Sequence, residues 1–279
     1  MADPTVTVVA KTDAPCPRVE VTITNLSTGT TIYNLWRTSD GVRKIVRGAR
    51  NRSTVGSDAV VDYESPLGRP ITYDIEVVTG TTVGLATVPA TTTVTSTTWW
   101  IQDPLVPSTA QPLAVNKTDG PLTLTAAAVK NLEYAAGVNI IPIMGSSEPV
   151  ALVGTRQIAS NMDFSMFTNT AQATTNLRNL IQQTPILLIR TNGIRNDGVP
   201  GLAYLAAAKP AEQPVTAAFG GTLTAWQLQG DLVAAPTLTV LVPIWTYQNV
   251  NNLWTTYQQA QTALAAKTYL DVLKSPSGV

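Results

Sequence analysis

Apolar and polar side chains alternate along much of the first third of the chain. Residues 5–9 (TVTVV) and 19–26 (VEVTITNL) do so with period two, the spacing of half-buried strands. In the second run Val19, Val21 and Ile23 share one face, which directs Glu20, Thr22 and Thr24 to solvent. A turn cluster from Asn25 to Thr30 contains Gly29. A third strand follows around Thr31–Thr38, and Ser39-Asp40-Gly41 turns the chain into Val42–Val46. Further strands are readable at 59–63, 71–78 and 82–95. Many short strands, regular turn signals and no helix between them predict a β-sandwich over residues 1–98.

The pattern changes at residues 99–112 (WWIQDPLVPSTAQP). Pro104, Pro107 and Pro112 disfavour regular strand or helix, so this stretch reads as a stiff, extended, Pro-rich connector between two domains. Trp99 and Trp100 are placed to pin its start to one domain or to a neighbour. The second domain, 113–279, reads as mixed and mostly β. Residues 113–125, 138–144, 150–153, 185–190, 201–206, 222–230 and 237–244 are strand-like, with Trp226 and Leu228 alternating in one of them. Thr170 is a candidate cap for a helix to about Gln183 that carries Leu177, Leu180 and Ile181 on one face. A second amphipathic helix is predicted near 248–273, where Leu253, Trp254, Tyr257, Ala260 and Leu264 fall at helical spacing and Lys274 and Pro276 end it. The predicted fold class is therefore mainly β with some α.

Composition removes several function classes. Charged residues are only 13% of the 279, and 18 basic side chains balance 18 acidic ones. Each half of the chain is balanced too, which argues against nucleic-acid or anionic-membrane binding. No apolar run reaches the roughly 18 residues of a membrane span, and no leader is readable, so synthesis in a cytoplasm is expected. Histidine is absent, which removes the commonest general base and most zinc sites. The single cysteine, Cys16, allows neither an intrachain disulfide nor a cysteine metal cluster. Asn25, Asn51 and Asn116 each open an N-x-Ser/Thr triplet, read as chance matches in a Thr-rich chain.

Few constellations suggest chemistry. Asp62 with Glu64, and Asp74 with Glu76, are carboxylates two residues apart on strands, and a solvated strand face explains both pairs. No phosphate loop, dinucleotide fingerprint, nucleophile elbow or EF-hand occurs, so no catalytic, cofactor-binding or metal-ligating residue is expected. Arg37, Arg43, Lys44, Arg47, Arg50 and Arg52 are offset in sequence only by Asp40. They read as a solvated loop, a basic hairpin that docks on an acidic partner, or a nucleic-acid groove, although interleaved aromatics are missing. Thr-Tyr pairs recur at Tyr247, Tyr257 and Tyr269, with Trp245 and Trp254 beside them. Such a helix either packs on its own domain or lines a subunit interface. The candidate protein-interface residues are thus Arg43, Lys44, Arg47, Trp99, Trp100, Tyr247, Trp254 and Tyr257.

Two resemblances sharpen this reading. Leu67-Gly-Arg-Pro70-Ile-Thr-Tyr73-Asp-Ile75-Glu-Val77 resembles the corner before the penultimate strand of fibronectin type III and immunoglobulin-like domains, whose tyrosine bonds back across the corner. The early-strand tryptophan of that family is missing, and Trp36 is a candidate to fill its space. The second resemblance is to minor and distal tail proteins of long-tailed (siphovirus-type) actinobacterial phages. It rests on Val46-Arg47-Gly48, Val61 through Tyr73, Trp100-Ile-Gln-Asp-Pro104-Leu-x-Pro107, and the ending Thr246-Tyr247 … Thr256-Tyr257 … Thr268-Tyr269-Leu-Asp-Val272-Leu273. It implies a non-enzymatic structural protein of the virion, assembled in the bacterial host cytoplasm as a trimeric or hexameric ring. The tail tube, tape measure and hub would be its partners, with no nucleic acid and no membrane insertion. In that family the accessory sandwich usually follows the ring-forming domain, whereas here it comes first. The runner-up is a receptor- or carbohydrate-binding module of the tail tip with Trp99-Trp100 as its aromatic platform. A peptidoglycan-cleaving enzyme lacks a convergent acid and nucleophile. If the terminal helix is an interface, polar residues in place of Trp254 and Tyr257 are expected to shift an assembled species toward monomer; an unchanged mass in light scattering removes that role.

Overall fold

The computed structural model describes residues 3–84, 87–115, 120–125, 128–129, 133–144, 147–156, 159–192, 199–215, 221–236, 254 and 256–265. The first eight strands are β1 (Thr5–Lys11), β2 (Arg18–Thr24), β3 (Thr30–Ser39), β4 (Val42–Ile45), β5 (Arg52–Val55), β6 (Asp58–Asp62), β7 (Pro70–Thr79) and β8 (Ala90–Thr93). They form one sheet of order β1-β2-β6 and another of order β4-β3-β7-β8, with β5 also paired to β3. All the named pairs are antiparallel. The inner faces meet as the period-two pattern requires. Val19, Val21 and Ile23 of β2 pack with Leu35, Ile71, Tyr73 and Ile75 of the opposite sheet in one buried cluster.

Three details of the sandwich depart from the expected pattern. Trp36 does not enter the core; it is half-buried on the outer face of β3, where Tyr33, Leu35 and Arg37 point inward. The Arg43 guanidinium lies 4.2 Å from its ring centroid, and its indole N–H donates to Glu76 at 2.9 Å. Tyr73 is buried, but its hydroxyl donates to the Asp62 carboxylate at 2.8 Å rather than to a backbone group across the corner. Glu20 is buried rather than solvated, because β2 is the central strand of its sheet and Arg18 folds over to within 3.5 Å of its carboxylate.

The following strands are β9 (Trp99–Gln102), β10 (Gln111–Leu113), β11 (Leu122–Leu124), β12 (Val138–Ile141), β13 (Val150–Val153), β14 (Met162–Asp163) and β15 (Met166–Thr168). After helix α1 (Ala171–Gln183) come β16 (Ile186–Arg190), β17 (Leu202–Ala206), β18 (Ala211–Pro214), β19 (Thr224–Gln227) and β20 (Gln229–Val233). A six-stranded sheet of order β10-β9-β16-β17-β20-β14 and a four-stranded sheet of order β11-β15-β19-β18 share a core with Trp99, Ile101, Phe164, Leu187 and Trp226. Helix α1 buries Leu177 and Leu180 there, as its spacing requires. Thr170 caps it by accepting from the Ala173 amide at 3.2 Å, and Thr184, which precedes Pro185, ends it.

The stretch 99–112 is not a free connector. Its first and last parts are strands of the second domain's large sheet, with β9 between β10 and β16. The prolines are accommodated locally. Pro107 opens a 3-10 turn over Pro107–Thr109, and Pro112 lies in β10, an edge strand where a missing N–H costs no ladder bond. The readings at 150–153, 185–190 and 201–206 each correspond to a strand, while 222–230 contains two. Residues 237–244 lie outside the described residues. Of the terminal helix, α2 (Tyr257–Leu264) is described, with Thr256 as its cap. No helix among the described residues is long and apolar enough to cross a membrane.

Candidate functional site

The greatest concentration of buried polar groups lies where the sandwich meets the six-stranded sheet, and β9 is its backbone. Successive side chains of a strand point to opposite faces. Trp99 is fully buried in the second domain's core, and its indole donates to the Asn192 Oδ1 at 3.0 Å. Trp100, one residue on, packs against the sandwich core and donates to Ser96 Oγ at 3.1 Å. Gln102 donates to the Tyr63 carbonyl at 3.3 Å, while its own Oε1 is buried with no hydrogen-bond partner.

Around this strand, three arginines and two carboxylates are buried together. Asp62, at the end of β6, is 1% exposed and accepts two bonds from Arg37 Nη1, at 2.8 and 2.7 Å. It also accepts from the Tyr73 hydroxyl and, at 2.9 Å, from the Glu64 amide. Glu64 receives Arg47 Nε at 2.6 Å on one oxygen and the Tyr204 hydroxyl of β17 at 3.0 Å on the other. Arg47 also donates to the Pro236 carbonyl at 2.9 Å. The solvated strand face that the sequence pattern predicts for both carboxylates is not what forms, since both are buried. Asp62 instead points between the two sheets of the sandwich, on the face of Val60, and Glu64 is met by Tyr204 of the second domain.

Arg190 ends the apolar strand β16 and is wholly buried. It crosses to the sandwich and donates to the Ser65 carbonyl at 2.9 Å, the Ser65 hydroxyl at 3.0 Å and the Pro17 carbonyl at 2.6 Å. Burial pulls its pKa below the ordinary arginine value, opposed by the charge of Asp62. Close approach completes the contact: Gly68 has φ +66°, and a Cβ there would stand 2.7 Å from the Asn192 carbonyl oxygen. Burial likewise pushes the Cys16 thiol up, away from a reactive thiolate.

The basic stretch is not a uniform patch. Arg37 and Arg47 belong to the buried joint, Arg43 pairs with Asp74, and Arg52 holds Asp58 at 2.5 and 3.0 Å. Even Asp40 is engaged, by Arg69. Lys44 and Arg50 are exposed. Asp74 and Glu76 do lie on the sandwich's outer face, Glu76 exposed. Of the aromatic candidates, Trp99 and Trp100 are joined in the domain contact, so the platform expected for a glycan is not presented. Trp254 is half-buried, Tyr257 is 84% exposed, and Tyr247 lies outside the described residues. Sequence reasoning missed Arg190, Tyr204 and Ser65. A charge closing the apolar run Ile-Leu-Leu-Ile-Arg190 was the one available signal.

Among the described residues, no three acidic or cysteine side chains are grouped to hold a metal ion. Each oxygen of the two carboxylates accepts at least one bond, from arginine or tyrosine donors and, on Asp62, also from a backbone amide. The arrangement can fix two β-domains against each other. Comparison with protein-family models, curated proteins and solved structures gives no match for this chain.

Removal of one partner from such a network strands the others. Asp62→Ala leaves the Arg37 guanidinium and Tyr73 hydroxyl buried and unpaired, an expected cost of about 3–5 kcal/mol by urea unfolding; a loss below about 1 kcal/mol would contradict the role given to this carboxylate. The phenols add a pH dependence. Burial pushes Tyr63 up to about 12, and burial together with Asp62 or Glu64 raises Tyr73 and Tyr204. Their folded pKa values exceed the unfolded value near 10, so their contribution is complete below about pH 10. It is lost as the pH rises through the folded values. The urea midpoint is expected to fall from about pH 10 upward, with late phenolate absorbance at 295 nm marking these tyrosines; a flat midpoint would count against it.

Proposed function

We propose that the chain is a non-enzymatic structural protein of a phage tail tip, of the minor or distal tail type. It joins the tail tube to the hub or receptor-binding apparatus through a symmetric oligomer. The observation that carries this reading is the joint, because buried charge and both tryptophans of β9 hold two β-domains in one orientation. A rigid two-domain β-body suits a component that relays position between neighbours, and the motif order of Val61–Tyr73, the Trp100–Pro107 stretch and the Tyr-rich ending supports it. Trimer and hexamer are the proposed states, the tail tube, tape measure and hub the proposed neighbours, and the virion the proposed location after assembly in the host cytoplasm.

Light scattering of the purified full-length chain over a range of concentrations tests the oligomer. A discrete trimer or hexamer is the expected mass, and a monomer throughout would overturn the ring-forming role.

A further inference from the structure

Strands β12 and β13 form a two-stranded sheet by themselves, with Val138 opposite Val153 and Ile141 opposite Val150. Every residue of both strands is exposed. Below the strands the two legs are tied to each other: Gly154 donates to the Gly137 carbonyl at 2.8 Å, Arg156 to the Tyr134 carbonyl at 3.1 Å, and Ser160 to the Glu133 carbonyl at 2.7 Å. The base is tied to the second domain by the Leu232 amide, which donates to the Ala159 carbonyl at 3.1 Å, and the Asn161 amide, which donates to Asp231 at 2.8 Å. Beyond that base the hairpin stands out from the body.

Its composition does not suit that position. A strand pair with one wet face alternates apolar and polar side chains; one that is buried on both faces is apolar throughout. Here one face carries Val138, Ile140, Ala151 and Val153, and the other Ile141, Val150 and Leu152, with Asn139 the one polar side chain. Two-stranded hairpins are also only marginally stable in water without something to pack on. Both faces therefore call for cover.

We propose that this hairpin is an assembly arm that inserts against a second copy of the same chain. The inference rests on the oligomeric role proposed above and assigns the contact that builds it. Three observations favour a second copy. With Ile143 and the fully exposed Met144 near the tip, the arm presents on the order of 900 Å² of apolar-residue surface, comparable to the roughly 800 Å² each partner gives a stable interface. Neither strand has a charged residue, and the whole chain is neutral with 18 basic and 18 acidic side chains, so identical copies meet no like-charge penalty. Edge pairing of two arms alone would leave both apolar faces wet. Insertion against the body of a neighbour covers them, and head-to-tail repetition closes a ring.

The experiment compares the full-length chain with Ile140→Asp/Leu152→Asp, which puts one charge on each face of the arm. Mass is read by sedimentation and light scattering, folding by near-ultraviolet circular dichroism, and the arm's amides by hydrogen exchange. The expected result is an oligomer whose amides at 138–141 and 150–153 are protected, and a folded variant reduced to monomer mass with those amides exchanging freely. An oligomer whose mass the substitutions leave unchanged, with freely exchanging arm amides, overturns the arm while the oligomeric reading stands. A full-length chain that stays monomeric overturns both. Binding of the arm to a different tail protein by a monomeric chain overturns the second copy as its occupant.

Discussion

Two carboxylates at the end of β6 organise the contact between the domains. Asp62 gathers Arg37, Tyr73 and the amide of Glu64, and Glu64 in turn gathers Arg47 and Tyr204 from the second domain. Neither could be buried alone, since an unpaired charge in a low-dielectric interior is expensive. Each becomes tolerable only when the arginine and phenol donors arrive together. The partners come from β3, the loop after β4, β7 and β17, so the network forms only once both sheets of the sandwich and the second domain are in place. Such a network is better regarded as a specifier of one arrangement than as a large net source of stability.

The sandwich was legible in the sequence because its strands alternate apolar and polar side chains. Period-two runs at β2 and β7 fixed which residues point inward, and the Thr170 cap with Leu177 and Leu180 marked α1. What escaped was tertiary. Asp62 and Glu64 have the local pattern of solvated residues, and nothing near them in the chain announces that Arg37 and Tyr73 of the opposite sheet and Tyr204 of the second domain will bond them. The basic stretch misled for the same reason. Arg43 reaches Asp74 across β3, and Arg37 reaches Asp62 across the interior between the two sheets, and those acids are remote in sequence.

The prolines of 99–112 illustrate a different failure. Proline density argues for a linker on average, yet Pro112 sits on an edge strand and Pro107 starts a turn, the places where proline does no harm. The arm was visible only as two short apolar runs. Its lack of alternation, which a strand count ignores, was the informative property.

The alternation of Trp99 and Trp100 has a mechanical consequence. A flexible linker lets one domain swivel while the other stays still, and tension on it first removes slack. Here the crossing segment is a paired strand whose neighbouring side chains are rooted in two different cores. Twisting one domain would drag an indole through packed side chains, and pulling would load the sheet bonds of β9 in shear. The chain therefore behaves at this point as a spar rather than a tether, and displacement at one end is delivered to the other with little lost in bending.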